Sequence, residues 1–527
     1  MILLAFFILP APFLNAQDTV KARNDTVKAK NDTINRAKGN DDQQLKDIKE
    51  KKVILHSDSA GNEPLKSELI DTTLFNKYGD LLNDDPVYNK KYPLWIPAIE
   101  IIGTNALLNV VDRFALKLAF ANVDFVTWGR TLKAGWPWGP GWEWDFDRFG
   151  NNFISHPYTG ALYFNSVRSN GYNYYVSTAF ALGGSYMWKI FGENGTPERE
   201  DLINTTITGA FLGEILYRLS SNILDDRTRG GNRVFREILA GLVDPMRGFN
   251  RLIQGKTFRK TNKEVYAEEP VNFSFYPGIR ETNDKTYGVF GNGTVSAVLN
   301  IQLDYGNPFE LRKRKAFDFF KIRADANFGV GRKWLDNLTG YGILFGKNYQ
   351  LGKMAFLIGG FQYYDYWDNA TFELGSIGFG GGVISKLPLG KTSNLYTAVH
   401  MAIVPFAGNS RRAGPDTSQL RDYNYGDGLE AKFESTVNLG KYATASMIYY
   451  FYLFHTFDGT PGNNFIHILK PRVTVRLYKN LSIGCENYIY LNDRYESNYP
   501  NLHLVKTEQR VFLLFYLEDK QRRGYYN

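Results

Sequence analysis

The chain has a single cysteine, Cys485, which excludes an intramolecular disulfide and a thiolate metal cluster alike. It has only six histidines, and none stands at the H-x-x-x-H or H-E-x-x-H spacing of a zinc site, so no metal and no cofactor is expected. A serine nucleophile elbow is also missing. No apolar run reaches the ~20 residues of a membrane-spanning helix, so nothing would hold an exported chain in an inner membrane. The net charge of +8 is spread along the chain rather than gathered into a basic stripe, and nucleic acid is not an expected partner.

Aromatics and glycine are plentiful instead. With 34 tyrosines, 38 phenylalanines and 50 glycines, the composition suits long strands with an aromatic belt better than a soluble helical enzyme. At 527 residues and 43% hydrophobic content, the chain can bury a large core and needs at least two structural units.

Residues 1–16, MILLAFFILPAPFLNA, are too short to cross a bilayer and end in a small residue, the pattern of a secretory signal peptide cut after Ala16. No cysteine follows that point, so a lipoprotein anchor is not expected. Residues 17–92 open on DTVKARN, DTVKAKN and DTINRAK, a repeat with one apolar position per unit (Val20, Val27, Ile34) where a coiled-coil seam needs two. This segment reads as a disordered, charge-mixed tether. A peptidoglycan-binding or partner-binding arm is the alternative.

From about residue 261 to 527 the pattern has period two. FKIRADANFGV sets Phe320, Ile322, Ala324, Ala326, Phe328 and Val330 against Lys321, Arg323, Asp325 and Asn327. LEAKFESTVNL opposes Leu429, Ala431, Phe433 and Val437 to Glu430, Lys432 and Glu434, and LSIGCENYIYL opposes Leu481, Ile483 and Cys485 to Glu486. About twelve such segments follow Val271, each long enough for a tilted strand in a bilayer. The connections agree with that reading: LGKY and YKN are tight, as periplasmic turns are, whereas AGNSRRAGPDTSQLRDYNYGD and LNDRYESNYPNLHLVK are long and polar. The expected fold is a membrane β-barrel of about 12 antiparallel strands, preceded by a mainly α-helical domain. Its lumen lining of Lys321, Arg323, Asp325, Glu430, Lys432, Glu434 and Glu486 mixes both signs. Such a lining either pairs with a helical plug or pairs internally and closes the pore. His400, on the lumen face, is the barrel histidine worth testing for chemistry.

Residues 93–260 follow helical spacing. LWIPAIEIIGTNALLNVVDRFAL is a first helix, and GWPWGPGWEWDF a loop whose Trp136, Trp138, Trp142 and Trp144 either anchor at a membrane interface or pack on one another. In FISHPYTGALYFNSVR, Ser155 or His156 caps a helix whose first turn contains Pro157, where a missing N–H is harmless. Arg168 lies about 18 Å further along that axis, so His156 and Arg168 do not share a substrate atom without partners from other helices. The helix DLINTTITGAFLGEILYRLSSNILD supplies Glu214 and Arg218 one turn apart, Asp225 on nearly the same face, and a G-x-x-x-G at Gly209 and Gly213 suited to close helix approach. One reading is a satisfied core network. The other is a convergent site of His156, Glu193, Asp201 and Glu214 with Arg168 and Arg218 as anion clamps, suited to hydrolysis or acyl transfer on lipid.

The runs HPYTGALYFNSVRSNGY, LGEILYRLSSNILDDRTRGGNRVFREILAGLVDP and RGFNRLIQG resemble the bacterial domain of unknown function 3943 family, found in exported proteins of Gram-negative bacteria. The resemblance spans roughly residues 100–260 and implies an outer-membrane location without an established activity. The family-like polar positions are His156, Arg168, Asp201, Glu214, Arg218, Arg233, Arg236 and Glu237. After Trp188 the resemblance implies an acidic residue; this chain has Lys189.

Together these features predict an outer-membrane barrel with its helical region on the periplasmic side, below the barrel or against the inner leaflet. The expected function is that of a structural or scaffold protein of the envelope, with outer-membrane lipid and a periplasmic or envelope protein as partners. A lipid-modifying hydrolase or acyltransferase and a narrow plugged channel or transporter are the alternatives.

Overall fold

The computed structural model describes residues 90–527 apart from 145–146, 262–264, 267–268, 284–292, 330–332, 370, 411–422, 498 and 519–527. The signal peptide and nearly all of the tether expected before residue 93 therefore lie outside the described residues. The helical elements are α1 (Trp95–Val110), α2 (Phe125–Lys133), α3 (His156–Arg168), α4 (Tyr174–Phe191), α5 (Arg199–Ile203), α6 (Gly209–Ile223), α7 (Gly230–Val243) and α8 (Pro245–Ile253). Twelve strands follow: β1 (Val271–Asn283), β2 (Thr294–Tyr305), β3 (Phe320–Asn327), β4 (Leu335–Leu351), β5 (Met354–Asp368), β6 (Glu373–Pro388), β7 (Asn394–Ser410), β8 (Tyr423–Leu439), β9 (Ala443–Asp458), β10 (Gly462–Tyr478), β11 (Leu481–Glu496) and β12 (Leu502–Glu518).

Each strand pairs antiparallel with its sequence neighbours, and β1 pairs with β12, for example Ile279 with Val511, so the sheet closes on itself. Closure removes the unpaired edges that a sheet in hydrocarbon could not satisfy. The expected twelve-stranded barrel is borne out. Connections of two residues join β4 to β5 and β10 to β11 at one end, whereas residues 411–422 join β7 to β8 at the other. These are called the short-turn end and the loop end below.

The expected proline cap is not what forms. A π-helical turn, Asn151–Ser155, runs directly into α3, and neither Ser155 nor His156 caps its N-terminus. Pro157 thus lies inside a continuous helix, where its missing N–H leaves the Phe153 carbonyl four residues earlier without its helical donor. The Tyr364 hydroxyl, from β5, donates to that carbonyl instead. A second π turn, Asn204–Thr208, links α5 to α6.

Alternation on β5 places Asp365 in the lumen, with Lys432 as its partner, and Gln362, Tyr364 and Tyr366 on the opposite, outer face. It is this outer face that the helices meet. Tyr174 donates to Gln362 at 2.5 Å, Phe211 packs against Tyr364, and Phe153 stacks on Phe406 of β7. A single core holds Phe153, Phe164 and Phe211 together with Tyr305, Phe320, Tyr364, Phe406 and Tyr423 of the barrel. The helical domain therefore neither plugs the barrel nor hangs below it. It lies along the outer wall, from Tyr305 at the short-turn end to Tyr423 at the loop end. Outward residues of β3, such as Phe320 and Ala324, are buried by helices rather than lapped by lipid. A helix needs a lumen wide enough for its ~10 Å girth, and here the lumen is occupied by the strands' own side chains.

Of the four tryptophans, Trp142 is buried and Trp144 packs on Phe406, Tyr425 and Phe457 of the barrel wall, while Trp136 and Trp138 stay exposed. Inside the domain, α3 and α6 cross at Gly160 and Gly209 with almost no gap. A Cβ on Gly160 would fall 1.7 Å from the Thr205 carbonyl oxygen. The G-x-x-x-G surface on α6 is thus used, against α3. Gly160→Ala should lower thermal stability by about 1–3 kcal/mol or more through overpacking, read as an earlier loss of heat-modifiable gel migration. Gly103→Ala on α1, where no atom lies within 4 Å of the new methyl, should be neutral or mildly stabilising.

Candidate functional site

The polar helix residues do not converge on one site. They form two ion clusters at different heights, with a third at the short-turn end.

The first cluster is built on α4. Lys189 is buried, and its ammonium lies 2.6 Å from Glu193, 2.6 Å from Glu198 and in direct contact with Asp201 of α5. His156 reaches the other oxygen of Asp201 at 3.1 Å and the half-exposed Asp147 at 3.9 Å. Trp188 donates its indole N–H to Glu193 at 2.6 Å. Three carboxylates at this spacing are the donor set of a cation site, and Lys189 fills it.

The second cluster centres on Glu214, which is fully buried in α6. Arg168 binds it in a two-pronged pair, Nε to Oε2 at 2.7 Å and Nη2 to Oε1 at 3.1 Å, and Arg218 adds Nε to Oε1 at 2.8 Å. Arg218 continues to Asp318 at 3.2 Å and to the Ala316 carbonyl at 2.6 Å, both in the connection between β2 and β3. The Tyr217 ring lies between two guanidinium groups, Arg168 at 4.2 Å and Arg247 at 4.1 Å. Glu214 is thus separated from His156, Glu193 and Asp201, contrary to the convergent reading. Asp225 does not join it either: it lies beyond the end of α6 and pairs with Arg227 at 2.8 Å.

The third cluster was legible only in part. Arg233 and Glu237 pair at 3.1 Å as neighbouring turns of α7, and both meet Asp226 or Arg251. Arg259 and Tyr266 complete the shell of Asp226. Arg236 lies apart, donating to the Ile223 carbonyl at 2.9 Å. Asp226 and Arg251 were not foreseen, although Arg247 and Arg251 stand one turn apart in the sequence, which is the available signal.

All seven expected lumen residues point inward and are paired. Arg323 forms a two-pronged bond to Glu434, one arm at 2.9 Å, and Lys321 approaches the same carboxylate at 3.7 Å. Lys432 meets Asp365 at 2.5 Å and Glu430 at 3.8 Å, Asp325 meets Arg510 at 2.9 Å, and Glu486 meets Arg472 at 2.7 Å. His400 donates to or accepts from Tyr363 at 2.9 Å and packs among the rings of Tyr341, Phe361 and Tyr363. Among the described residues its printed hydrogen bond is to Tyr363, and its ring is enclosed by aromatic side chains.

A closed antiparallel barrel with an apolar exterior and a helical domain packed on its wall defines the class, a membrane β-barrel protein. Within it, residues 141–246 match the model of the family described as "Domain of unknown function (DUF3943)". No curated protein matches the chain by sequence. The barrel is similar to the outer membrane channel DcaP of Acinetobacter baumannii at 8% identity and a TM-score of 0.23, over 47% of this chain and 97% of that one. It is similar to the NanC porin at 10% identity and 0.26, over 46% and 98%, and to the Pseudomonas putida toluene transporter TodX at 7% and 0.20, over 47% and 89%. Likeness this distant concerns the barrel fold alone.

One outcome follows from the clusters. Glu214→Gln, near-identical in volume, leaves the Arg168 guanidinium without its carboxylate and Arg218 with Asp318 alone, and should destabilise the protein by about 3–5 kcal/mol, measured by thermal unfolding in detergent.

Proposed function

We propose that the protein is a non-conducting scaffold of the outer membrane, a barrel whose task is to hold the helical domain at a fixed place in the envelope. The observation that carries this reading is the Arg323–Glu434 pair. β3 and β8 are five strands apart in a ring of twelve, nearly opposite, so this bond crosses the lumen. Tyr488 of β11 reaches Asp325 at 3.1 Å, and Tyr452 of β9 reaches Asp365 at 3.0 Å, which adds further crossings. Buried polar groups bonded in this way lock one arrangement and place side chains across the axis.

The helical clusters support the same reading. His156 turns its Nε2 to two carboxylates, Asp201 at 3.1 Å and Asp147 at 3.9 Å, so that nitrogen is engaged rather than open to a nucleophile's proton, which argues against His156 as the base of a lipid hydrolase. Glu214 already receives three donors, and an anion clamp needs unengaged ones. With the short-turn end facing the periplasm, the periplasmic rim of the barrel is where an envelope protein is the partner this reading implies. Outer-membrane lipid surrounds the rest.

Planar-bilayer recording of the purified protein tests the reading. The expected trace is flat at the baseline of the empty bilayer. Unitary conductance steps from the wild type would favour the channel alternative instead.

A further inference from the structure

We propose that the helical domain is itself immersed in the hydrocarbon of the bilayer, with lipid acyl chains covering its outward face. The proposal rests on the reading of the barrel as membrane-embedded and goes beyond it, since a domain attached to such a barrel usually stands in water.

The first observation is that the outer helices are built inside out. On α8, Arg247, Asn250 and Arg251 are buried, whereas Phe249, Leu252 and Ile253 are 49–57% exposed. On α7, Arg233 is buried while Val234, Phe235, Ile238 and Leu242 face out. On α1, Asn105 points inward to the Gly184 carbonyl at 3.2 Å and to the Tyr163 hydroxyl, and Asn109 turns to the Ala121 and Gly192 carbonyls. Its outward side is Trp95, Ile99, Ile102 and Leu107, each more than half exposed. A helix on the surface of a water-soluble domain puts its charges out and its apolar stripe in. Contiguous exposed apolar surface on this scale marks a membrane or protein contact, and charges that turn inward to pair are what a hydrocarbon solvent demands.

The second observation is place. The helices cover the outer wall from Leu303 and Tyr305 at the short-turn end of β2 to Phe406 and Tyr423 at the loop end of β7 and β8. That wall elsewhere carries Met401, Ile403, Val473 and Val511 outward, 46–69% exposed, the face that a membrane barrel turns to lipid. The 18 residues of α4 span about 27 Å, close to the apolar band of about 25 Å on such barrels.

No described helix is long and apolar enough to cross a membrane alone. The inside-out pattern accounts for this. On α1, α7 and α8 the polar side is turned toward neighbouring helices. Backbone groups freed at the π turns also find partners in the barrel, as Phe153 does in Tyr364, which is the condition for irregular backbone at membrane depth.

The native cysteine provides an internal control, because Cys485 is exposed on the outer face of β11. A nitroxide is attached to Cys485 in the wild type and, in a Cys485→Ser background, to Ile102→Cys and to Ile238→Cys. Collision with molecular oxygen and with a water-soluble nickel chelate is measured by electron paramagnetic resonance in phosphatidylcholine vesicles. The proposal predicts the same high ratio of oxygen to nickel accessibility at all three positions. A high ratio at Cys485 with nickel access at both helix positions would overturn it and leave the barrel reading intact. Helix labels shielded from both reagents would also overturn it, since a second copy or another protein would then cover the face. Nickel access at Cys485 itself would remove the membrane barrel, and the proposal with it.

Discussion

Glu214 is the point at which the helices and the barrel become one object. A carboxylate removed entirely from water costs several kcal/mol, and only donors on every side offset that. Here they come from α3 and from α6 itself, and Arg218 also donates to the connection that carries Asp318 in the barrel. Two-pronged guanidinium bonds tolerate little displacement, so they set the rotation of α3 against α6. The bare approach of Gly160 to Gly209 follows from that constraint, because any side chain there would hold Arg168 away from its partner. The position of the pair against β2 and β3 follows as well. Phe211 and Phe317 then meet over the wall and exclude water from the network they cover.

The same logic runs through the lumen with opposite geometry. In the helical domain, charge pairs tie neighbouring segments together; in the barrel, Arg323 with Glu434 ties nearly opposite sides of the ring, and Asp325 with Arg510 joins strands three apart. Buried charge pairs beneath an exposed apolar surface are common to both units.

Strand number, parity and the lumen lining were legible because each strand shows two environments in alternation: Lys321 and Ile322 differ in a way that only two solvents explain. What covers the outer face was not legible. Ile322 and Phe433 look alike in sequence, yet Ile322 packs under helices while Phe433 remains exposed. Apolar contact with a helix and with an acyl chain select the same side chains. The inverse ambiguity hid the helix positions, since α8 shows a clear two-sided pattern whichever side faces inward. The pairing of Glu214 with Arg218 could be read from spacing, and its pairing with Arg168 could not, because 46 residues separate them. The cap expected at His156 failed for a specific reason: nothing local to FISHPYTG announces that a tyrosine more than two hundred residues later will satisfy the Phe153 carbonyl.

Placement of the helical domain on the outer wall is the claim on which the rest depends, and site-directed cross-linking measures it directly. In a Cys485→Ser background, Tyr174→Cys is paired with Gln362→Cys on the outer face of β5, or with its neighbour Tyr363→Cys, which faces the lumen. Disulfide formation in isolated outer membranes is expected for the first pair and not for the second. Cross-linking of Tyr174→Cys to Tyr363→Cys alone would put the helices inside the barrel, and absence of both cross-links would detach them from the wall; either result contradicts the account.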